Sequence, residues 1–226
     1  MTQRKDAFEP IIVVDSPEVT RWHAIYARVR PYFRKARMQL FEQRIAPTAA
    51  SRVLDVGGSN HNWEYASVLP KVTLANIIKE TRPDPRFQYM EFDARRMPLE
   101  DRSFDIVYSN SVIEHVGDFE DQKACAAEIR RVAKRYFVQT PAKFFPVEPH
   151  FFCLFIHWLP RPLYRRLLGV LSPWAWITKA TPADVDKAVA GTRLLTVREM
   201  RELFPDAEIV RERFLGLTKS IVAIRV

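Results

Sequence analysis

The stretch Arg52-Val53-Leu54-Asp55-Val56-Gly57-Gly58-Ser59-Asn60 constrains this chain more than any other. An apolar, partly β-branched run that ends in a glycine pair is the pattern of a central parallel strand leaving its sheet. Glycines there let the backbone turn sharply and come close to a ligand, because no Cβ stands in the way. In open α/β sheets ligands bind at the carboxyl ends of the strands, where such a turn lies. The simpler alternative is a plain strand-to-helix connection that binds nothing.

The remaining chain follows an α/β rhythm. Residues 1–15 lack periodicity and read as a loose arm. Ser16-Pro17 is a helix start, a capping hydroxyl followed by a residue pre-set for the first helical position. Trp22, Ile25, Tyr26, Val29 and Phe33 recur at helical spacing. Pro31 is expected to interrupt this segment and give two helices between Pro17 and Ile45. After the glycine turn, residues 62–68 are expected to be helical and to end near Pro70. Strands are predicted over 72–78, 87–91, 104–109 and 135–139. Asp118 should cap a helix that buries Cys125, Ile129, Val132 and Ala133. Alternating strands and helices argue for βαβ units and a parallel sheet. Thr196 should cap a helix over 197–204, and residues 208–214 and 220–226 read as a closing hairpin about Leu215-Gly216-Leu217.

A chain of 226 residues with 47% hydrophobic and 27% charged residues suits one soluble domain. The expected organisation is a single domain over 1–226. It has an N-terminal arm and helices (1–51), a ligand-binding core (52–141), an insertion (142–195), and a closing helix and hairpin (196–226). Cys125 and Cys153 stand far apart in no metal-like spacing, and no secretory leader is visible, so reduced thiols in a cytoplasmic protein are expected. The net charge of +8 is concentrated locally. Arg21, Arg28, Arg30, Arg34, Lys35, Arg37 and Arg44 face the single acid Glu42, a face that would attract RNA, an anionic membrane or an acidic substrate, or simply be solvated. The aromatic run 151–159, interrupted by His157 and followed by Pro160-Arg161-Pro162, is too short to span a bilayer. Its expected role is to cover the active site, and the alternative is a peripheral membrane contact.

Three motifs in order carry a family resemblance. Val53-Leu54-Asp55-Val56-Gly57-Gly58 resembles the first motif of class I S-adenosylmethionine-dependent methyltransferases. Phe92-Asp93-Ala94 followed by Met97-Pro98 resembles their acid after the third strand. Ser103 to Val116, with Asp105-Ile106-Val107-Tyr108-Ser109-Asn110 at its centre, is similar to the fourth-strand motif of members acting mostly on small molecules. The resemblance covers residues 52–141 well. It implies an α/β, Rossmann-like seven-stranded sheet of order 3-2-1-4-5-7-6 with the last strand antiparallel. It also implies S-adenosylmethionine as cofactor and no nicotinamide, since the spaced glycines of that fingerprint are missing.

By this resemblance, Gly57 and Gly58 lie along the cofactor's tail and ribose, and Asp55 orients its ammonium. Asp93 accepts from the adenine amino group with the Ala94 amide nearby. Ser109 and Asn110 meet the methionine part and the incoming acceptor. Two departures stand out. Ser59 replaces a frequent further glycine, and Asn76 replaces the acid that holds the ribose hydroxyls, which predicts weaker or altered ribose binding. His150, shortly after the fifth strand, is the leading candidate base, with Glu148 orienting it and His115 as second candidate. No metal site is expected, because His150 and His157 lack a third ligand at a plausible spacing. The expected activity is methyl transfer to a small-molecule acceptor, apolar or lipid-linked to judge from the aromatic segment. An RNA methyltransferase and a non-catalytic methyltransferase-like binding module are the alternatives.

Overall fold

The computed structural model describes residues 19–81 and 83–226, with side chains from residue 31 onward. The chain forms two compact units, one of Val29–Phe145 with Arg193–Val226 and another that contains Pro146–Thr192. In the first, seven strands make one sheet: β1 (Arg52–Val56), β2 (Lys71–Asn76), β3 (Gln88–Glu91), β4 (Phe104–Asn110), β5 (Ala133–Pro141), β6 (Glu208–Phe214) and β7 (Leu217–Arg225). Their order is β3-β2-β1-β4-β5-β7-β6, with β1 to β5 parallel and β7 antiparallel to both its neighbours. This is the order the motifs implied. The helices are α1 (Val19–Ile45), α2 (Asn60–Trp63), α3 (Phe119–Val132), α4 (Arg161–Leu171), α5 (Pro173–Thr178), α6 (Pro182–Ala190) and α7 (Val197–Leu203).

Successive residues of a strand point to opposite faces, so a strand buried on both sides must be apolar throughout. Leu54, Val107 and Val138 enter one core with Ile129 and Val132 of α3 and Met200 and Leu203 of α7. Val53, Ile106 and Phe137 enter the other with Met38, Phe41 and Ile45 of α1. Phe41 meets the rings of Tyr108 and Phe137 edge-on at 5.1 and 5.6 Å, while those two stack on each other. Burying such a ring contributes roughly 1.5–3 kcal/mol.

Several elements depart from the sequence expectations. Helix α1 runs through Pro31 as one element rather than two. The lost N–H costs one helical hydrogen bond, and the buried face of Met38, Phe41 and Ile45 offsets it. The loose arm, the Ser16-Pro17 start and the side chains of Trp22, Ile25, Tyr26 and Val29 lie outside the described residues. Helix α2 stops at Trp63, because the Ser67 N–H and hydroxyl both donate to the Glu42 carboxylate instead of continuing a helix. Strand β2 ends at Asn76, opposite the end of β3 at Glu91, and leaves Ile77 and Ile78 exposed. Ala133 opens β5 rather than closing α3. Nor is the basic stretch of α1 wholly solvated: Arg37 is buried and Arg44 pairs with Glu208.

The second unit is a two-stranded ribbon, Val147–Glu148 against Cys153–Leu154, with α4, α5 and α6. Its core is Phe151, Tyr164, Leu168, Val185 and Ala188. Both cysteines are free and buried. Among the described residues no helix is long and apolar enough to cross a membrane.

Asp118 caps α3 by accepting from the Glu120 and Asp121 N–H groups, and Asp121 returns a bond to the Asp118 N–H. Asp118→Ala should lower stability by about 1–2 kcal/mol in urea unfolding. An unchanged midpoint would mean that α3 is held by its buried face alone.

Candidate active site

The carboxyl ends of β1, β2 and β4 converge on the glycine turn. Gly57 has φ of +68°, and its N–H donates to the Ala75 carbonyl at 2.7 Å, pinning the turn to β2. A Cβ at Gly57 would lie 2.4 Å from Val112 Cγ2, and one at Gly58 would lie 2.1 Å from Asp55 Cγ. Only bare backbone fits at either place. Asn76 braces the turn from β2, its Nδ2 donating to the Gly58 carbonyl at 2.8 Å. A carboxylate there has no hydrogen to give, so the departure from an acid has a structural counterpart in this chain. Ser59 precedes α2 without a side-chain capping bond.

Asp55 is fully buried. Its Oδ2 accepts from the Trp63 indole N–H at 2.9 Å, and Oδ1 has no hydrogen-bond partner among the described residues. Burial pushes the carboxyl up from the usual 3.8 to about 8, against the smaller pull of Trp63 and Asn62. An unpartnered oxygen in such a place is a seat for a donor or a cation.

At the end of β4, Ser109 is buried and donates to the Val56 carbonyl at 3.3 Å, tying β4 to β1. The Asn110 Oδ1 accepts from Arg37 Nη1 at 2.6 Å, and its Nδ2 faces Asn62 Oδ1 at 3.5 Å. Arg37 in turn grips the Glu212 carboxylate through Nε at 3.0 Å and Nη2 at 2.8 Å. Asp93 is held by Arg95, whose backbone N–H donates at 2.9 Å and whose Nη2 donates at 2.6 Å. That guanidinium keeps the Asp93 carboxyl below the usual range. Ala94 follows in the same turn.

The structure therefore gathers Asp55, Gly57, Gly58, Asn76, Ser109 and Asn110 around the ends of neighbouring strands. His115 ends a short 3₁₀ turn, Ile113–His115, after β4. Next to it, Glu114 is buried and accepts from the Thr140 hydroxyl at 2.9 Å. Glu148 and His150 belong to the second unit. There the buried Glu148 carboxylate accepts from the His150 and Phe151 N–H groups at 2.8 and 2.7 Å and meets His150 Nδ1 at 2.7 Å. An imidazole whose Nδ1–H is bound to a carboxylate carries its lone pair on Nε2. Sequence reasoning missed Arg37, Trp63 and Glu212. Arg37 was hidden in a basic run, and Glu212 joins it from 175 residues away.

The profile of a family described as a methyltransferase domain matches residues 48–136. Residues 48–136, from the loop before β1 into β5, are thus similar to a methyltransferase domain, and the sheet order agrees with that likeness. Solved structures of similar fold include one of S-adenosylmethionine-dependent methyltransferases from Methanosarcina mazei, at 16% identity over 80% of this chain and 94% of that one, with a TM-score of 0.47. Another is a candidate zinc-dependent alcohol dehydrogenase from Rhodobacter sphaeroides, at 10% identity, 84% and 88% coverage and a TM-score of 0.51. A third is a Haemonchus contortus phosphoethanolamine N-methyltransferase in complex with phosphomonomethylethanolamine and S-adenosylhomocysteine. It shares 16% identity over 78% of this chain but 38% of that one, with a TM-score of 0.50. Likenesses at such identities speak to the fold. No curated protein sequence matches the chain.

The end of β1 fits S-adenosylmethionine, the cofactor that the motifs implied, on one count. The unpartnered Asp55 oxygen suits an ammonium group.

An acid whose pKa is raised on folding stabilises the fold most where it is protonated in both states. For Asp55 that contribution is present below about pH 4 and is lost as pH rises to about 8. Asp55→Asn removes this loss. Urea unfolding from pH 4 to 9 should show the variant gaining on the wild type through that window, then holding level. A constant difference across pH would mean that Asp55 is ionised in the free fold.

Proposed function

We propose that this methyltransferase acts on a small, apolar or lipid-linked acceptor, with His150 as the base and Glu148 as the residue that orients it. The observation that carries the acceptor class is the second unit. It holds the Glu148–His150 pair beside a segment rich in exposed apolar side chains, Phe144 just before it and Leu154 and Phe155 within it.

The chemistry asks for alignment first. Bound S-adenosylmethionine supplies an electrophilic methyl group on a sulfonium. The leaving group is a neutral thioether, so in-line positioning of the nucleophile contributes most of the acceleration. A hydroxyl or amine acceptor also sheds a proton. His150, with Nδ1 on Glu148, would take it on Nε2 and share the charge with the carboxylate. Asp55 would hold the ammonium of the tail, Gly57 and Gly58 would lie against it, and Asp93 with the Ala94 amide would meet the adenine. Ser109 and Asn110 would face the methionine part and the acceptor.

An RNA acceptor is the weaker reading. Arg37 and Arg44, two of the cations that suggested it, are committed to Glu212 and Glu208. Ser109-Asn110-Ser111-Val112 also lacks the stacking residues that would hold a flipped base.

Thermal unfolding with S-adenosylhomocysteine tests the cofactor site. Ligand at 100 times its dissociation constant should stabilise the wild type by about 2.7 kcal/mol, and Asp93→Ala should lose most of that shift. No shift at millimolar ligand with a folded protein would favour a non-catalytic binding role. The base is tested separately once an acceptor turns over. His150→Ala should lower kcat by about 10²–10⁴-fold and remove the ascending limb of the pH profile, while its S-adenosylhomocysteine shift stays intact. Undiminished turnover across pH would exclude His150 from the reaction.

A further inference from the structure

The second unit presents a surface that the methyl-transfer chemistry does not use. Val170, Leu171 and Trp176 are large apolar side chains with 63%, 50% and 62% of their surfaces exposed. They form one patch by construction. The Trp176 indole N–H donates to the Val170 carbonyl at 2.7 Å, which folds α5 back on the end of α4. Cys153 Sγ lies 4.0 Å from the Leu171 carbonyl, which ties the ribbon to the same corner. The Ser172 hydroxyl, donating to the Phe151 carbonyl at 3.1 Å, locks ribbon and corner together.

The corner is rigid, because its inward side chains are already used. Tyr164 and Leu168 of α4, Ala175 of α5, and Phe151 are buried. Phe151 also packs edge-on against Trp174 at 5.1 Å. The outward apolar side chains are therefore surplus to the core of this unit. Exposed apolar groups gathered in one place mark a surface that meets something less polar than water.

Charge decides what that is. From Pro149 to Ala183 the sequence has no Asp or Glu, but it has Arg161, Arg165, Arg166 and Lys179. Arg165 is paired with Asp186. Arg166 lies one helical turn before Val170 on the same side of α4, and Lys179 follows Trp176 at the end of α5. Both are exposed. An apolar patch with an indole at its edge and cations beside it, free of acids, matches the interface of an anionic bilayer. There tryptophan sits at headgroup depth and each nearby cation adds attraction.

We infer that this corner docks the protein on an anionic phospholipid surface, with Val170, Leu171 and Trp176 entering the interface and Arg166 and Lys179 on the headgroups. The inference does not depend on the identity of the acceptor. A protein carrying a net charge of +8 will have some attraction to any anionic surface, so the test must read the patch rather than the whole molecule.

The experiment is co-sedimentation of the full chain with vesicles of phosphatidylcholine alone and with one part in three phosphatidylglycerol. The wild type should bind the anionic vesicles about tenfold or more tightly than the neutral ones, the effect expected of two interfacial cations. Val170→Ser with Leu171→Ser should lose at least about tenfold, as expected for removing buried apolar area. Arg166→Glu with Lys179→Asn should cut the preference for anionic lipid by about tenfold or more; asparagine tolerates the left-handed backbone of Lys179. Each variant must keep the wild-type melting temperature and S-adenosylhomocysteine shift, so loss of binding is not loss of fold or of the cofactor site. Equal binding by wild type and both folded variants would overturn the inference in favour of bulk charge. So would a self-associated wild type whose dimer the serine pair dissolves, since the patch would then join two copies. Salt-sensitive RNA binding that both pairs of substitutions weaken, without vesicle binding, would overturn it as well.

Discussion

A carboxyl group buried at the end of the central strand, with one oxygen unpartnered, sets the terms for the glycine turn around it. Asp55 is tolerated there because Trp63 gives it one hydrogen bond and because the glycines leave no atoms to crowd it. The turn is so tight that a methyl group on Gly58 would overlap the carboxylate itself. Strand, turn and first helix are thus a single device: the acid needs the glycines, the glycines need Asn76 and Ala75 to hold their carbonyl and N–H, and α2 exists to deliver Trp63. An ammonium group brought to Asp55 relieves the least favourable group in this region, so ligand affinity and local stability are linked.

A second tie reaches the site from the flank. Arg37 of α1 joins Asn110 at the end of β4 to Glu212 in the closing hairpin. Both ends of Arg37's bonding are to oxygen acceptors in a mostly buried setting, where charge-assisted bonds with bidentate geometry fix orientation as well as contribute energy. Asn110 at the end of β4 is therefore positioned by a helix that precedes the sheet and a hairpin that follows it.

Much of this was legible from residues alone. Val53, Val56, Ile106 and Val107 announced buried parallel strands, and Gly57-Gly58 after Asp55 marked the ligand end of the sheet. Caps at Asp118 and Thr196 were readable because side-chain oxygens and backbone N–H groups meet locally. Pro31 misled, since its local cost is set against packing of Met38, Phe41 and Ile45 that no window of sequence displays. Helix α2 was overextended because the competitor for Ser67 is Glu42, distant in the chain. Arg37 looked like one cation among several, and only the fold brings Glu212 to it. Local chemistry could be read; pairings across the sheet could not.

The placement of β7 between β5 and β6 has a consequence for biosynthesis. Strands β1 to β5 can pair as they emerge, but the outer edge of β5, including the buried Phe137 and Val138, stays open until residues 217–225 have left the ribosome. Until then a nascent chain carries an unpaired, apolar strand edge, the kind that recruits other strands. Arg37 waits equally long for Glu212. The interval in which that edge stands open is the time needed to translate residues 142–225, and slow decoding there would lengthen it.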